Sequence, residues 1–236
     1  MILRSVIAFS LAACFAASAA NVSGTVTLLD SRDPAVRGRK DFSGVVVWLE
    51  PVSGSASVRP SPRAQIIQKN KRFTPHILAI AAGTTVDFPN FDPIFHNAFS
   101  NFEGKVFDVG LYAPGASRAV RFDRPGIVRV FCNIHPHMSA IIAVVNTPHF
   151  ATSQTDGRYQ IANVPAGEYR LQVMHERATQ ETLDRLARRV VITDGAFTIS
   201  PIEISESGYL PVPHKNKYGK PYPPNADDGP YPGAKK

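Results

Sequence analysis

Cysteine is nearly absent from this 236-residue chain, which has only Cys14 and Cys132. Helical patterning is almost missing too, since apolar residues seldom recur at three- and four-residue spacing; the one helical candidate is 182–187. The chain has no Gly-x-Ser-x-Gly elbow, no His-Glu-x-x-His pair and no phosphate-cradling glycine loop. The common machinery of hydrolysis and phosphoryl transfer is therefore not here, and the chain reads as a non-enzyme. The formal charge is +7, but no basic stripe is interleaved with aromatics, which argues against nucleic-acid binding. Lys215, Lys217, Lys220, Lys235 and Lys236 instead gather near the C-terminus, as in a cationic tail that touches an acidic partner or surface.

The sequence opens with the pattern of an export signal. Arg4 supplies the charge, 5–16 is an apolar run too short to span a bilayer, and Ala17-Ser18-Ala19 is a small-residue cleavage pattern. Residues 1–20 are read as a signal peptide and the protein as periplasmic. Leu11-Ala12-Ala13-Cys14 also fits a lipoprotein signal, in which case an acylated Cys14 would bring membrane contact. Once the leader is removed, Cys132 is the one remaining cysteine, with no disulfide partner in an oxidising compartment. A bound metal would give that thiol an occupation. About 216 residues remain, enough for one large or two small domains with real cores.

Short β-branched and aromatic runs bounded by Gly, Pro, Asn and Asp recur throughout, so the expected fold class is all-β. Strands are expected at 22–29, 44–49, 73–80, 84–88, 119–122, 126–131, 140–145, 158–161, 168–175 and 190–192. Residues 53–64, rich in Ser, Pro and Arg, read as a flexible connector. From Gly208 to the end Pro, Gly, Lys and Tyr dominate, and 208–236 is expected to be a disordered tail.

The chemistry gathers in Phe131-Cys132-Asn133-Ile134-His135-Pro136-His137-Met138, with His96 upstream in Phe95-His96-Asn97. A thiolate, two imidazoles and a thioether are the ligand list of a blue copper centre, in which two nitrogens and a sulfur form a trigonal plane and a weak axial methionine tunes the potential. That set implies one-electron transfer. Taken singly, a buried cysteine is usually a small core hydrophobe and a loop histidine a satisfied polar group; the joint spacing makes coincidence a poor account. His137 reads as a solvent-exposed neighbour of the site and His76 as a structural hydrogen-bonding residue. One His-x-His pair among seven histidines does not suffice for the trinuclear cluster of a multicopper oxidase.

Residues 68–146 resemble the cupredoxins, with the short Cys-x-x-His-x-x-Met loop of the amicyanin type; small proteins with this loop are often grouped with methylamine-utilisation proteins. The resemblance implies a Greek-key β-sandwich over 65–147 that holds one type 1 copper through His96, Cys132, His135 and Met138. It also implies that Asn97, next to the first histidine, ties the two ligand loops together. The implied partner is a transient redox protein such as a dehydrogenase or a cytochrome, docking on an apolar patch of Pro93, Ile94, Phe95, Ile134 and Pro136. Downstream, Asp156-Gly157, the strand after it and Pro165-Ala166-Gly167 resemble a carboxypeptidase regulatory-like domain, a small transthyretin-like β-sandwich. The first strands of that domain match Gly24-Thr25-Val26 and Val45-Val46-Val47-Trp48-Leu49. The expected architecture is thus a cupredoxin inserted in this second sandwich, which is split into 21–52 and 148–207. The alternative is an enlarged cupredoxin over 21–147 joined to a separate C-terminal sandwich. Two other functions use the same residues: a periplasmic copper carrier or buffer, and an interaction module whose copper site is degenerate.

Overall fold

Alternation decides the first strand: in Ala19–Leu29, Ala20, Val22, Val26 and Leu28 are buried while Asn21 and Thr25 face out, the period of a half-buried strand. The same pattern recurs along a computed structural model that describes residues 19–54, 58–101 and 104–223. Most of the leader, including Cys14, lies outside the described residues, as do 224–236 of the tail. The first segment holds β1 (Ala19–Leu29), α1 (Pro34–Arg39) and β2 (Val46–Pro51). The middle holds β3 (Ala64–Gln65), β4 (Ile67–Lys69), β5 (Arg72–Thr74), β6 (Ile77–Ala81), β7 (Thr84–Pro89), β8 (Phe99–Ser100), β9 (Phe107–Asp108), β10 (Ser117–Phe122), β11 (Gly126–Phe131) and β12 (Ser139–Val145). The last holds β13 (Phe150–Thr152), β14 (Arg158–Pro165), β15 (Gly167–Met174), α2 (Gln180–Leu186), β16 (Arg188–Ile192), β17 (Ala196–Thr198) and β18 (Ile202–Ser205). The fold is all-β.

Strand pairing sorts these elements into two sandwiches. In one, β14 and the short β17 and β18 all pair with β1, opposite a sheet of order β13-β2-β15-β16. Val22, Val26, Val47, Leu49, Ile161, Leu171 and Ile204 fill the space between them. In the other, β10-β7-β3 faces β6-β12-β11-β8-β9 across a core of Val86, Phe88, Phe122, Val128, Val130 and Ile142. Strands from both ends of the chain thus build the first sandwich, and only middle residues build the second.

The sandwiches meet through a third apolar cluster of Val46, Ile141, Ala143 and Met174. This contact explains why β12 reads as an unbroken run, Ala-Ile-Ile-Ala-Val-Val, without polar alternation. Ala140, Ile142 and Val144 face their own core while Ile141 and Ala143 face the neighbouring sandwich, so both sides of the strand are covered.

The expected 73–80 strand is divided into β5 and β6 because Pro75 has no amide N–H to give the ladder. At the Asp156-Gly157 turn, Gly157 has φ +79° and a Cβ there would sit 2.1 Å from the Val26 carbonyl oxygen, so only glycine fits. α1 was not expected, although Asp33 caps it by accepting from the Ala35 N–H at 2.7 Å and Pro34 opens its first turn. The connector expected to be flexible is anchored at Ser61, whose N–H donates to Thr84 Oγ1 at 2.9 Å; residues 55–57 of it lie outside the described residues.

Candidate metal centre

The donors converge at one end of the second sandwich. β8 pairs with β11 through Phe99 and Phe131, which brings the loop before β8 beside the loop after β11. His96 closes a two-way backbone bridge with Tyr112, its N–H donating at 3.2 Å and its carbonyl accepting at 2.9 Å. Cys132 begins the second loop, its N–H donating to the Met138 carbonyl at 3.0 Å while the Met138 N–H donates to the His135 carbonyl at 3.1 Å. One donor atom from each of His96, Cys132 and His135 lies within 4.8 Å of the others, and all three residues are buried. Met138 is fully buried at the same end.

The tautomer of His96 follows from its surroundings. Its Nε2 is 2.7 Å from Asp92 Oδ2, and burial, opposed by that carboxylate, holds the imidazole's pKa below its ordinary value, which favours the neutral ring. The Asp92 carboxylate only accepts, so Nε2 carries the hydrogen and Nδ1 keeps a bare lone pair. That lone pair is 3.9 Å from Cys132 Sγ, and His135 Nδ1 is 3.6 Å from the same sulfur. An ion about 2.1 Å from nitrogen and about 2.3 Å from sulfur, with bond angles near 120°, separates such donors by about 3.8 Å. The two distances bracket that value, and the donor set suits a blue copper ion.

The sulfur is buried and faces backbone N–H groups. Burial pushes the Cys132 thiol up, opposed by the backbone N–H groups of Ile134, Asn97 and His135. A metal reverses that burial cost by binding the thiolate.

Three polar side chains hold the loops that carry the donors. Asp92 accepts from the backbone N–H groups of Asn70 at 2.6 Å and Lys71 at 2.9 Å, so the carboxylate that orients His96 is itself fixed. Asn90 shapes the turn, accepting from the Asp92 N–H at 3.0 Å and donating to the Ile94 carbonyl at 2.8 Å. Asn97 joins the two loops: its Oδ1 accepts from the Asn133 N–H at 2.9 Å, and its Nδ2 donates to Asp108 at 2.7 Å.

His137 is exposed, and His76 bonds to the Ser139 carbonyl at 3.0 Å and to Glu176 at 2.7 Å. His76 thus links β12 of the metal-site sandwich to the other one. Of the expected docking patch, Pro93, Phe95 and Ile134 are exposed, while Ile94 and Pro136 are half-buried. His135 is only 5 % exposed, so it offers a narrow edge and not an open face.

Sequence reasoning missed Asp92, although Asp-Pro-Ile-Phe-His places a carboxylate four residues before the histidine. It also missed the tail. Residues 208–223 were expected to be disordered, and they indeed form neither helix nor strand, but they pack on the metal loop: the Tyr222 hydroxyl donates to the Cys132 carbonyl at 2.7 Å. Low aliphatic content excludes a core there; it does not exclude docking through aromatic rings and backbone hydrogen bonds.

No family model matches the chain, and no curated protein matches it. Among solved structures, the chain is similar to a novel purple cupredoxin from Nitrosopumilus maritimus, at 30% identity over 35% of this chain and 99% of that one, with a TM-score of 0.33. It is similar to a copper-containing nitrite reductase from Thermus scotoductus at 26% identity and a TM-score of 0.34, over 51% of this chain but only 28% of the reductase. A reduced Cu(I) form of an amicyanin variant matches at 16% identity over 42% of this chain and 98% of that one, with a TM-score of 0.34.

Proposed function

We propose that this protein carries single electrons between redox partners through one type 1 copper, which His96, Cys132, His135 and Met138 would hold. The observation that carries the reading is the buried convergence of Cys132 Sγ with the Nδ1 atoms of His96 and His135, at 3.9 and 3.6 Å. Bound copper supplies a Cu(I)/Cu(II) couple, and the protein's task is to hold one geometry for both states. Asp92 fixes the His96 ring, Asn97 ties its loop to the cysteine loop, and burial excludes water from the donors. Little has to move when the charge changes.

Electrons would enter and leave at the narrow edge of His135. Phe95, 55 % exposed, precedes His96, and Ile134, 38 % exposed, precedes His135, which supports a small apolar landing surface for a transient dehydrogenase or cytochrome. The leader supports export to the periplasm. The reading assigns no catalytic residue. We read the other sandwich as the carboxypeptidase regulatory-like scaffold and the copper sandwich as its insertion; pairing of β1 with β14 and of β2 with β15 supports this. A copper carrier would need ligands open to exchange, and the burial of all three donors favours electron transfer over that second reading. Adding Cu(II) to the purified protein should produce an intense visible thiolate-to-copper band that Cys132→Ser abolishes. A colourless protein with readily exchanged copper would sink the electron-transfer reading.

A further inference from the structure

The segment 208–223 closes on the cysteine loop as a third wall. His214 lies against Phe131 with ring centroids 4.0 Å apart and 24° between planes, and its Nε2–H donates to the Pro136 carbonyl. The Tyr222 hydroxyl, besides its bond to the Cys132 carbonyl, lies 3.3 Å from His214 Nδ1, and the two rings meet edge to face at 5.2 Å. Between them, the Lys217 N–H donates to Asn133 Oδ1 at 3.0 Å, and its ammonium pairs with Asp108 at 2.7 Å. Asp108 is the carboxylate that also holds Asn97. The strap is braced internally by Asn216, whose Oδ1 accepts from the N–H groups of Tyr218 and Lys220 at 3.0 and 3.1 Å.

These contacts fall on the residues whose backbone sets the donor positions. A short loop between strands leaves carbonyls that no ladder serves, and each needs a donor from elsewhere. The Cys132 carbonyl receives it from Tyr222 and the Pro136 carbonyl from His214. We propose that His214 and Tyr222 are positioning residues of the metal centre: they hold the Cys132–Pro136 backbone in the shape that lets the three donors converge. This rests on the copper reading of the site. The C-terminal segment, some 80 residues downstream of the loop, is then part of the centre and not an appendage.

The test uses the mature chain with Tyr222→Phe, with His214→Ala, and truncated after Gly208, beside a control truncated after Pro223. Amide hydrogen exchange over 133–138 in metal-free protein reads the positioning directly, and competition for Cu(I) with a coloured chelator reads its consequence. Loss of the Tyr222 hydrogen bond should speed exchange roughly fivefold, and Cu(I) binding should weaken about tenfold, with the largest change on truncation after Gly208. The control should match the wild type in both readouts. Variants that bind Cu(I) as the wild type does overturn the positioning role, whether or not exchange quickens, since the strap is then only a cover. Equal losses in the control would move the role beyond residue 223 and overturn the assignment to His214 and Tyr222. Wild-type protein that takes up no copper would instead overturn the copper reading, and the positioning role with it.

Discussion

The two sandwiches share an architecture and differ in what they bury. The one built from both ends of the chain has an apolar interior, and its buried polar residues, among them Thr147, Ser153, His175 and Glu206, tie loops and edges. His175, for instance, pairs with Glu206 at 2.8 Å. Among the polar residues that the middle sandwich buries, Gln68, Asn90, Asp92, His96, Asn97 and His135 gather at its metal-site end. Burying polar groups costs free energy unless each finds a partner. Asp92, Asn90 and Asn97 are satisfied by hydrogen bonds that fix the loops carrying the donors. The lesson is that the scaffold is specified by apolar periodicity, while the site is specified by a polar network that periodicity does not report.

That contrast yields graded predictions. Leu171→Ala, in the core of the sandwich built from both ends of the chain, should cost about 2–5 kcal/mol of stability and leave Cu(I) affinity and the visible spectrum unchanged. Denaturant unfolding with a chelator competition checks both, and a large spectral change would break the division of labour. Asp92→Ala should act the other way. It leaves the His96 Nε2–H and two backbone amides without their acceptor, so copper affinity should fall about 10- to 100-fold, with a stability loss of about 2 kcal/mol. A variant with wild-type affinity would detach Asp92 from the site.

The smallest effect concerns the joint between the sandwiches. The hydrogen bond to Glu176, opposed by burial, raises the His76 pKa above its ordinary 6.5. A raised folded pKa means that the link stabilises fully below about pH 6.5 and is lost as pH rises through the folded value. His76 is well exposed, so the contribution should stay below about 1 kcal/mol. Unfolding of metal-free protein at pH 6 and pH 8 should show this slope flattened in His76→Gln; an unchanged slope would remove the pair from the joint.

The fold was legible where alternation was strong, as in β1 and β14, and where a run was wholly apolar, as in β12. It was less legible in β8, β9 and β17, two or three residues each, which exist because longer neighbours offer an edge to pair with. The convergence of His96, Cys132 and His135 was legible because these side chains carry chemistry in their types and spacing. Asp92 was not, since an aspartate in a proline-containing loop reads as turn chemistry until the fold points it at an imidazole. Tyr222 and His214 were illegible for a deeper reason: their partners are a carbonyl and a ring 80 to 90 residues away, and composition carries no trace of such a contact.

X-ray absorption at the copper edge of the loaded wild type tests the central claim most directly. The account predicts a first shell of one short sulfur and two imidazole nitrogens, with the sulfur lost in Cys132→Ser. A shell of nitrogen and oxygen alone in the wild type would contradict it.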